Sequence, residues 1–590
     1  MSAPQSTAAA VPSSLSAELL CSGVAFALGL AWLVPNHYLP WFAFHGEVVA
    51  VVAALCVIVL ALCKPGGERA GVPLLVIGLV IAAAVPWAQF AVGQVLYLGD
   101  ALLVSLYLGG TGLCAWAAFL DVRNRDGLAR AIAGALLWAS LISTGIALYQ
   151  WFGLRGLTIW AVEGAPGTRT GGNLAQPNQL ATLLVGGIAA AAWARSRREL
   201  GASSSALLAA FLCLGLALTQ SRTPWLTFGL LGIWVMVGGV RARQLLPAPT
   251  WALACLFAWY AIAFWAVLVL PEPLLLSSAT SAGEPGRLQA GLRPLLWSQM
   301  WEAITESPWV GYGWGQGLTA QATAALVRPG LEYSSYAHNF VLDLMIWNGA
   351  PIGLAMAGVI GMWYIAAGRS VKTPDEGFRF CVVTAFLAHA LVEYPHAYAY
   401  FLIPVAVLAG QLEAQREGMS FACSRWVLAC GTGIAACTVV LVANDYLPLA
   451  DDRRVVQMWL ARIGGERQLP PSPDTLVLDQ MGAAARMSRV VPGPDMPPEQ
   501  LADLEKIARR FPTIYFLRRL SVALALNGRS HEAFTELQRL RGLHGDPFYR
   551  IAVHEMKELS ETGRPELKSL LAQIEQSERR SAMSLPTPAR

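Results

Sequence analysis

One segment of the sequence places a histidine and an asparagine at the predicted start of a helix. His338 and Asn339 end a long polar stretch, and an apolar run follows them directly. An imidazole titrates near neutral pH, so His338 is a candidate general base. Asn339 is a good helix cap, and a capped helix without a catalytic role would explain the pair at least as well. Asp343 lies one helical turn further on, and an ionisable side chain inside an apolar run is a second candidate functional group.

A second polar segment, from Arg169 to Gln179, precedes another apolar run. It contains the amide side chains of Asn173, Gln176, Asn178 and Gln179. Amides both donate and accept hydrogen bonds and therefore suit sugar hydroxyls, although polar turn chemistry before a helix would explain any one of them. The segment thus combines candidate sugar-binding groups with one cation.

Three more places carry charge where a membrane protein normally avoids it. Arg222 lies in a very short turn between apolar runs, where it would bind an anion or extend to lipid headgroup phosphates. Arg287 and Arg293 lie in the first third of a long polar loop. Glu393 and Tyr398 share a short turn, and a carboxylate at a membrane edge needs a partner even where tyrosines are common. We therefore take these side chains as candidate binding groups.

Long apolar runs separate the polar segments. The chain of 590 residues is 55% hydrophobic and 14% charged, against about 25% charged residues in a typical soluble protein. The pattern predicts an all-α polytopic membrane protein with about 13 transmembrane helices. The predicted spans are about 17–35, 47–63, 71–88, 98–120, 128–151, 178–194, 204–219, 224–240, 251–270, 340–367, 379–393, 397–412 and 426–444.

Lysine and arginine are concentrated in alternate loops, which the positive-inside rule assigns to the cytoplasm. The N-terminus is then cytoplasmic, and the long loops at about 152–177 and 271–338 lie on the outer face. Because the number of spans is odd, residues 448–590 also lie outside. The sequence therefore predicts a transmembrane body at 1–447 and a separate soluble domain at 448–590. The small net charge of +4 gives no reason to expect a nucleic-acid partner.

The C-terminal domain is predicted to be helical. A helix, an Asn-Gly turn and a second helix follow one another between Leu520 and Leu540, in the form of a tetratricopeptide-like hairpin. Ala523 and Ala533 would be the small residues at the helix crossing. Since only one such hairpin is clear, a generic small helical domain remains an equal alternative.

Together these segments resemble a known family. The large loop that ends in His338-Asn339 carries an Arg293-x3-Trp297 element and a Gly-x-Gly-Trp-Gly run at 311–315, as in the O-antigen ligase/polymerase superfamily. Gln176-Pro177-Asn178 and Glu393-Tyr394-Pro395 with Tyr398 look more specifically like the PglL-type bacterial protein O-oligosaccharyltransferases, which glycosylate pilins. The helical C-terminal domain also fits that subgroup.

The resemblance implies a metal-independent enzyme of the bacterial inner membrane, without a cofactor. Its donor would be an oligosaccharide on undecaprenyl diphosphate, and its acceptor a Ser or Thr hydroxyl of a periplasmic protein such as a pilin. By the same resemblance, four residues match positions important for catalysis: His338, Arg222, Gln176 and Tyr398. Charge and position add candidate substrate-binding residues: Arg169, Asn178, Arg287, Arg293, Asn339 and Glu393. Arginine would hold the diphosphate, and His338 would be the base.

Two alternative functions remain open at this point. A ligase that moves O-antigen to lipid A–core, or an O-antigen polymerase, belongs to the same superfamily and would share the donor. A transporter of the lipid-linked glycan belongs to another class. Transporters usually carry paired repeats with sites at the bilayer midplane, whereas the polar residues here cluster at one predicted face.

Overall fold

The computed structural model describes residues 14–63, 69–121, 124–245, 249–270, 293–330, 333–416, 418–463, 469–561 and 563–583. Residues 271–292, the first part of the predicted loop 271–338 with Arg287, lie outside the described residues. The described chain is mainly α-helical, in agreement with the prediction of an all-α polytopic membrane protein.

The helices of the first 460 residues are α1 Ser14–Leu33, α2 Phe44–Leu62, α3 Leu74–Ala91, α4 Leu98–Leu120, α5 Arg125–Trp151, α6 Pro177–Ser196, α7 Ala202–Leu218, α8 Thr223–Gln244, α9 Thr250–Val269, α10 Arg293–Glu306, α11 Gly317–Ala324, α12 Phe340–Asn348, α13 Ala350–Ser370, α14 Pro374–Ala390, α15 Ala399–Glu413 and α16 Arg425–Leu460. The helices that follow are α17 Asp479–Met487, α18 Pro498–Arg510, α19 Ile514–Leu526, α20 Ser530–His544, α21 Asp546–Glu561 and α22 Lys568–Met583. Short 3-10 helices occur at Thr158–Trp160, Gly172–Leu174, Pro395–Ala397 and Pro565–Leu567.

Two short strands depart from the all-α prediction. β1 Arg69–Pro73 pairs antiparallel with β2 Ser420–Ser424, with Arg69 opposite Ser424 and Pro73 opposite Ser420. Each strand ends where a long apolar helix begins, α3 after β1 and α16 after β2. The sheet therefore joins the starts of two helices that are far apart in the sequence.

Each predicted apolar segment overlaps a helix. Eight helices of the described chain are long and apolar enough to cross a membrane, namely α1, α2, α3, α4, α5, α9, α13 and α16, and α7, α8 and α15 contain shorter apolar helices. The predicted single span 340–367 was wrong in one respect, because Gly349 separates α12 from α13 with φ 80° and ψ 157°. The predicted loop 271–338 also contains two helices, α10 and α11.

The chain divides into two compact units. Unit 1 comprises Met1–Ala84, Ser105–Pro285 and Val359–Val440, and unit 2 comprises Val85–Val104, Gly286–Gly358 and Leu441–Arg590. The predicted domain boundary at 447–448 lies inside α16. The C-terminal helices therefore belong to a unit that also contains α10, α11 and α12.

Helix α5 packs on α1, α6 and α7 in unit 1 through small residues. A Cβ atom at Gly187 would lie 2.4 Å from Ser140 Oγ, and one at Gly215 would lie 2.5 Å from Thr144 Oγ1. Ser140 Oγ also donates a hydrogen bond to the carbonyl of Leu183 at 3.1 Å. Small residues and interhelical hydrogen bonds of this kind stabilise helix packing where water is absent. This packing holds α6 and α7 against α5.

Unit 2 has its own apolar core. The buried side chains of Leu504, Leu517 and Leu537 from the C-terminal helices pack in one cluster with Ala322 of α11 and with Ala325, which follows that helix directly. The predicted helix pair is present as α19 and α20, which follow one another across Asn527-Gly528, and both Ala523 and Ala533 are fully buried. The C-terminal helices and the segment that leads to His338 therefore share a core.

The Gly-x-Gly-Trp-Gly run packs against the end of α12. Tyr312 donates its backbone N–H to the carbonyl of Ile346 at 2.8 Å, and Gly313 donates to Trp347 at 3.2 Å. A Cβ atom on Gly311, whose φ is 67°, would lie 2.4 Å from the Ile346 carbonyl oxygen. Glycine is needed here because the backbone must approach closely in a left-handed conformation. The run thus satisfies the last carbonyl groups of α12.

A buried ion pair joins α18 to the first turn of α4. The guanidinium of Arg510 donates from Nε to Asp100 Oδ2 at 2.7 Å and from Nη2 to Asp100 Oδ1 at 2.8 Å. Gln316 Nε2 donates a further hydrogen bond to Asp100 Oδ2 at 3.2 Å. The bidentate geometry is the strong form of an arginine–carboxylate contact.

Removing one member of this pair should destabilise unit 2. We expect Arg510→Met to lower the free energy of unfolding by about 3–5 kcal/mol, because Asp100 would remain buried without its cation. Chemical denaturation of the purified protein in detergent measures the change. Arg454→Met is the matched control, since Arg454 pairs with Asp451 on an exposed surface and should contribute at most about 1 kcal/mol. A double variant, Asp100→Leu with Arg510→Met, should recover most of the loss; no recovery would contradict the assignment.

Candidate functional site

A polar network with a buried centre lies at the end of unit 1 where α6 begins. Asn178 Nδ2 donates a hydrogen bond to Glu393 Oε1 at 2.8 Å. Asn178 Oδ1 accepts one from Ser221 Oγ at 2.7 Å and one from Arg169 Nη2 at 3.3 Å. Arg169 Nε also donates to the carbonyl of Thr219 at 3.1 Å. We call Arg169, Asn178, Ser221 and Glu393 the Asn178 network; it brings together three of the predicted site residues.

Three other predicted residues occupy the N-cap positions of helices that begin in the same unit. Gln176 is the N-cap of α6, Arg222 of α8 and Tyr398 of α15. Gln176 accepts a hydrogen bond from the backbone N–H of Gln179 at 2.8 Å, whereas the side chains of Arg222 and Tyr398 do not bond to the first turns of their helices. Each helix start carries partial positive charge and N–H groups that favour an anion.

The exposure of these groups differs between the arginines and the network centre. The side chains of Arg169 and Arg222 are exposed, whereas Asn178 and Glu393 are buried. A buried carboxylate is unfavourable unless it accepts a hydrogen bond, and Asn178 donates one to Glu393. The exposed guanidinium groups are accessible to a ligand.

A ladder of three tyrosines adjoins the network. Tyr394 stacks on Tyr398 with ring centroids 6.0 Å apart, and Tyr398 stacks on Tyr400 at 5.2 Å. Tyr400 Oη donates a hydrogen bond to Gln179 Oε1 at 3.0 Å, which ties the ladder to α6. The ladder holds Tyr398, which is half-buried, in a defined orientation beside the start of α15.

His396 lies in the same turn as Glu393 but adds no positive charge. Burial, with a smaller contribution from nearby His389, lowers the pKa of His396 to about 3. The ring is therefore neutral at physiological pH. Among the described side chains no group of three or more His, Cys, Asp or Glu is placed to hold a metal ion.

Two of the predicted amide groups are used by the fold. Asn173 Nδ2 donates to the carbonyl groups of Leu33 and Trp160 at 2.7 and 2.9 Å, and Asn173 Oδ1 accepts from the N–H of Val162 at 3.1 Å. Gln179 accepts from Tyr400. Polar turn chemistry, the alternative interpretation of this segment, therefore describes Asn173.

Sequence reasoning missed Ser221 and Tyr400 as members of the site. Both lie beside residues that were selected, Ser221 next to Arg222 and Tyr400 two positions after Tyr398. Serine and tyrosine hydroxyls are common polar groups, and nothing in their local sequence shows which distant amide they contact. The proximity to selected residues was the one available signal.

His338 and Asn339 belong to unit 2, as does Arg293. Asn339 is the N-cap of α12, and its side chain accepts hydrogen bonds from the N–H groups of Val341 and Leu342 at 3.0 and 3.1 Å. His338 has φ 52°, in the left-handed region that costs an L-residue about 1–2 kcal/mol. Arg293 is half-buried at the first position of α10. Residues with a strained backbone, such as His338, are concentrated at functional sites.

Comparison with known proteins gives a consistent picture. The family described as "O-Antigen ligase" matches residues 206–357, "Protein glycosylation ligase" matches 171–193, and "Virulence factor membrane-bound polymerase, C-terminal" matches 380–557. A "General O-oligosaccharyltransferase" of Acinetobacter baylyi is 28% identical over 553 residues, which cover 89% of this chain and 92% of the relative. A "ComP-specific O-oligosaccharyltransferase" of the same organism is 29% identical over 403 residues, 67% of this chain and 71% of the relative.

Proposed function

We propose that this chain, a glycosyltransferase of the PglL-type branch of the O-antigen ligase superfamily, transfers an oligosaccharide as one unit to a protein. The donor is undecaprenyl diphosphate that carries the oligosaccharide. The acceptor is a Ser or Thr hydroxyl of an exported protein such as a pilin. The two Acinetobacter relatives are named for transfer of an oligosaccharide to oxygen, which supports a hydroxyl acceptor.

The observation that carries this proposal is the end of unit 1 where α6, α8 and α15 begin. Three helix starts are there together with two exposed arginines, Arg169 and Arg222. Helix starts and guanidinium groups both stabilise phosphate oxygens. In an apolar protein this combination suits a lipid diphosphate, whose charge grows as the sugar leaves.

The proposed step has one nucleophile and one leaving group. The acceptor hydroxyl oxygen attacks the anomeric carbon of the first sugar and forms the new glycosidic bond, while the bond from that carbon to the diphosphate oxygen breaks. His338 takes the hydroxyl proton. Undecaprenyl diphosphate departs with the electron pair and needs no proton, so a separate acid is not required. A direct displacement inverts the anomeric carbon.

The remaining candidate residues are assigned to binding. Arg222 holds the leaving diphosphate, with Arg169, Arg293 and Arg287 as further cations. The amide of Gln176 and the hydroxyl of Tyr398 offer hydrogen bonds to sugar hydroxyls. Glu393 acts through Asn178, which it fixes, and Asn339 acts by capping the helix that follows His338.

We also propose where these groups lie. The positive-inside pattern puts the N-terminus in the cytoplasm and the polar end of unit 1 at the periplasmic face of the bacterial inner membrane. The helical region 448–590 is assigned to the periplasm by the same rule. The lipid-linked donor and an exported acceptor would both be accessible from that side.

An intact-mass measurement tests the function. The chain is expressed in a bacterium that carries a lipid-linked glycan and a candidate pilin, and the pilin is purified and weighed. We expect the mass of the pilin to increase by one glycan, and the increase to disappear in a strain without the chain. An unmodified pilin together with newly glycosylated lipopolysaccharide would instead favour an O-antigen ligase.

A further inference from the structure

We propose that Trp297 and Asp343 are positioning residues for His338: they hold the backbone on its N-terminal side and so maintain the left-handed conformation that orients the imidazole. The inference rests on the proposed role of His338 as the base. All of the groups involved belong to unit 2.

The conformation of His338 needs support from its surroundings. Its φ of 52° is unfavourable for any residue with a side chain, and glycine would adopt it more readily. A histidine in this conformation indicates that neighbouring contacts enforce the backbone geometry.

The residue before His338 is held on both of its polar groups. Ala337 is fully buried. Its backbone N–H donates to Asp343 Oδ1 at 2.7 Å, and its carbonyl oxygen accepts from Trp297 Nε1 at 2.8 Å. That carbonyl belongs to the peptide group that joins Ala337 to His338. The hydrogen bond from Trp297 therefore fixes the orientation of the peptide plane that precedes the φ angle of His338.

The residue after His338 is held as well. Asn339 caps α12, and its carbonyl oxygen accepts the N–H of Asp343 at 2.9 Å. Asp343 thus contacts the chain on both sides of His338, through its carboxylate before and through its backbone after. Burying the carboxyl group of Asp343 in the apolar helix α12 is unfavourable unless the group makes hydrogen bonds. Holding the backbone beside His338 gives it such a bond.

Paired variants test the two tethers. Trp297→Phe keeps an aromatic ring but removes the N–H donor, and we expect kcat for glycan transfer to fall by about 10- to 100-fold while KM for the acceptor changes by less than about twofold. Asp343→Leu should have a similar effect, whereas Asp343→Asn keeps an acceptor oxygen and should retain most of the rate. Trp301→Phe is the matched control, because Trp301 is an exposed tryptophan on the same helix.

A double variant separates positioning from general support of the fold. If Trp297 acts through His338, Trp297→Phe should cause no further loss when it is added to His338→Ala. An additional tenfold loss in that background, or a normal kcat for Trp297→Phe alone, would overturn the inference. If Trp297→Phe is not recovered from the membrane, the comparison of Asp343→Leu with Asp343→Asn decides, and equal rates for those two would overturn it. Near-normal transfer by His338→Ala would instead contradict the proposed base.

Discussion

Replacing His338 with alanine is expected to lower the rate of glycan transfer by about 10²- to 10⁴-fold, the usual contribution of a general base. A Ser or Thr hydroxyl is a poor nucleophile until its proton is removed, and the imidazole is the proposed acceptor of that proton. The rate is measured on purified enzyme, with lipid-linked glycan and an acceptor pilin followed by mass spectrometry. The loss should appear in kcat, because the proposed base acts only as the new bond forms.

Two controls separate the missing imidazole from a damaged fold. His338→Gly also lacks the ring but accepts φ 52° without strain, so it should be as inactive as His338→Ala and about 1–2 kcal/mol more stable. His554→Ala removes an exposed histidine of unit 2 and should transfer at the normal rate. Near-normal transfer by both His338 variants would show that another group takes the proton.

Arg222→Ala is the second large loss, about 10²- to 10³-fold in kcat, the effect of removing one preorganised donor from a developing negative charge. The guanidinium is exposed at the start of α8, where it is accessible to a ligand. Arg222→Lys keeps the charge but loses the planar fork, so it should recover only part of the rate. Steady-state kinetics with varied lipid-linked donor measure both variants.

The matched control for Arg222 is another exposed arginine of unit 1. Arg155 pairs with Glu163 at 2.7 Å on the surface, and Arg155→Ala should leave the rate unchanged. If Arg155→Ala and Arg222→Ala were equally slow, a general effect of surface charge would explain the loss. If Arg222→Ala were as active as the parent enzyme, the diphosphate would have to be held elsewhere.

Hydropathy predicted the helices well because membrane helices satisfy their own backbone hydrogen bonds, so that local composition almost suffices. It failed at Gly349, since a window average does not see one residue with φ 80° between two apolar helices. It also missed α10, whose buried face at Leu296, Met300 and Ala303 faces protein. The strands β1 and β2 were missed because their pairing joins segments that are far apart in the sequence.

The chemistry of the candidate site was visible in residue types, but its connections were not. Asn178 and Glu393 were both selected from the sequence, yet their hydrogen bond spans 215 positions, and no local pattern encodes such a contact. The same holds for Trp297 and Ala337, which are 40 positions apart. The left-handed backbone of His338 was also unforeseen, because no local pattern in the sequence shows the contacts that hold Ala337.

The shared core of unit 2 also has a consequence for the order of synthesis. Asp100 leaves the ribosome 410 residues before its partner Arg510, and α11 is made well before the leucines that cover it. Until α18 to α20 have been translated, the segment that leads to His338 lacks side chains against which Ala322 and Ala325 pack. A growing chain therefore lacks part of the packing of the proposed catalytic loop, and chains that terminate early should be inactive even when their apolar helices are already in the bilayer.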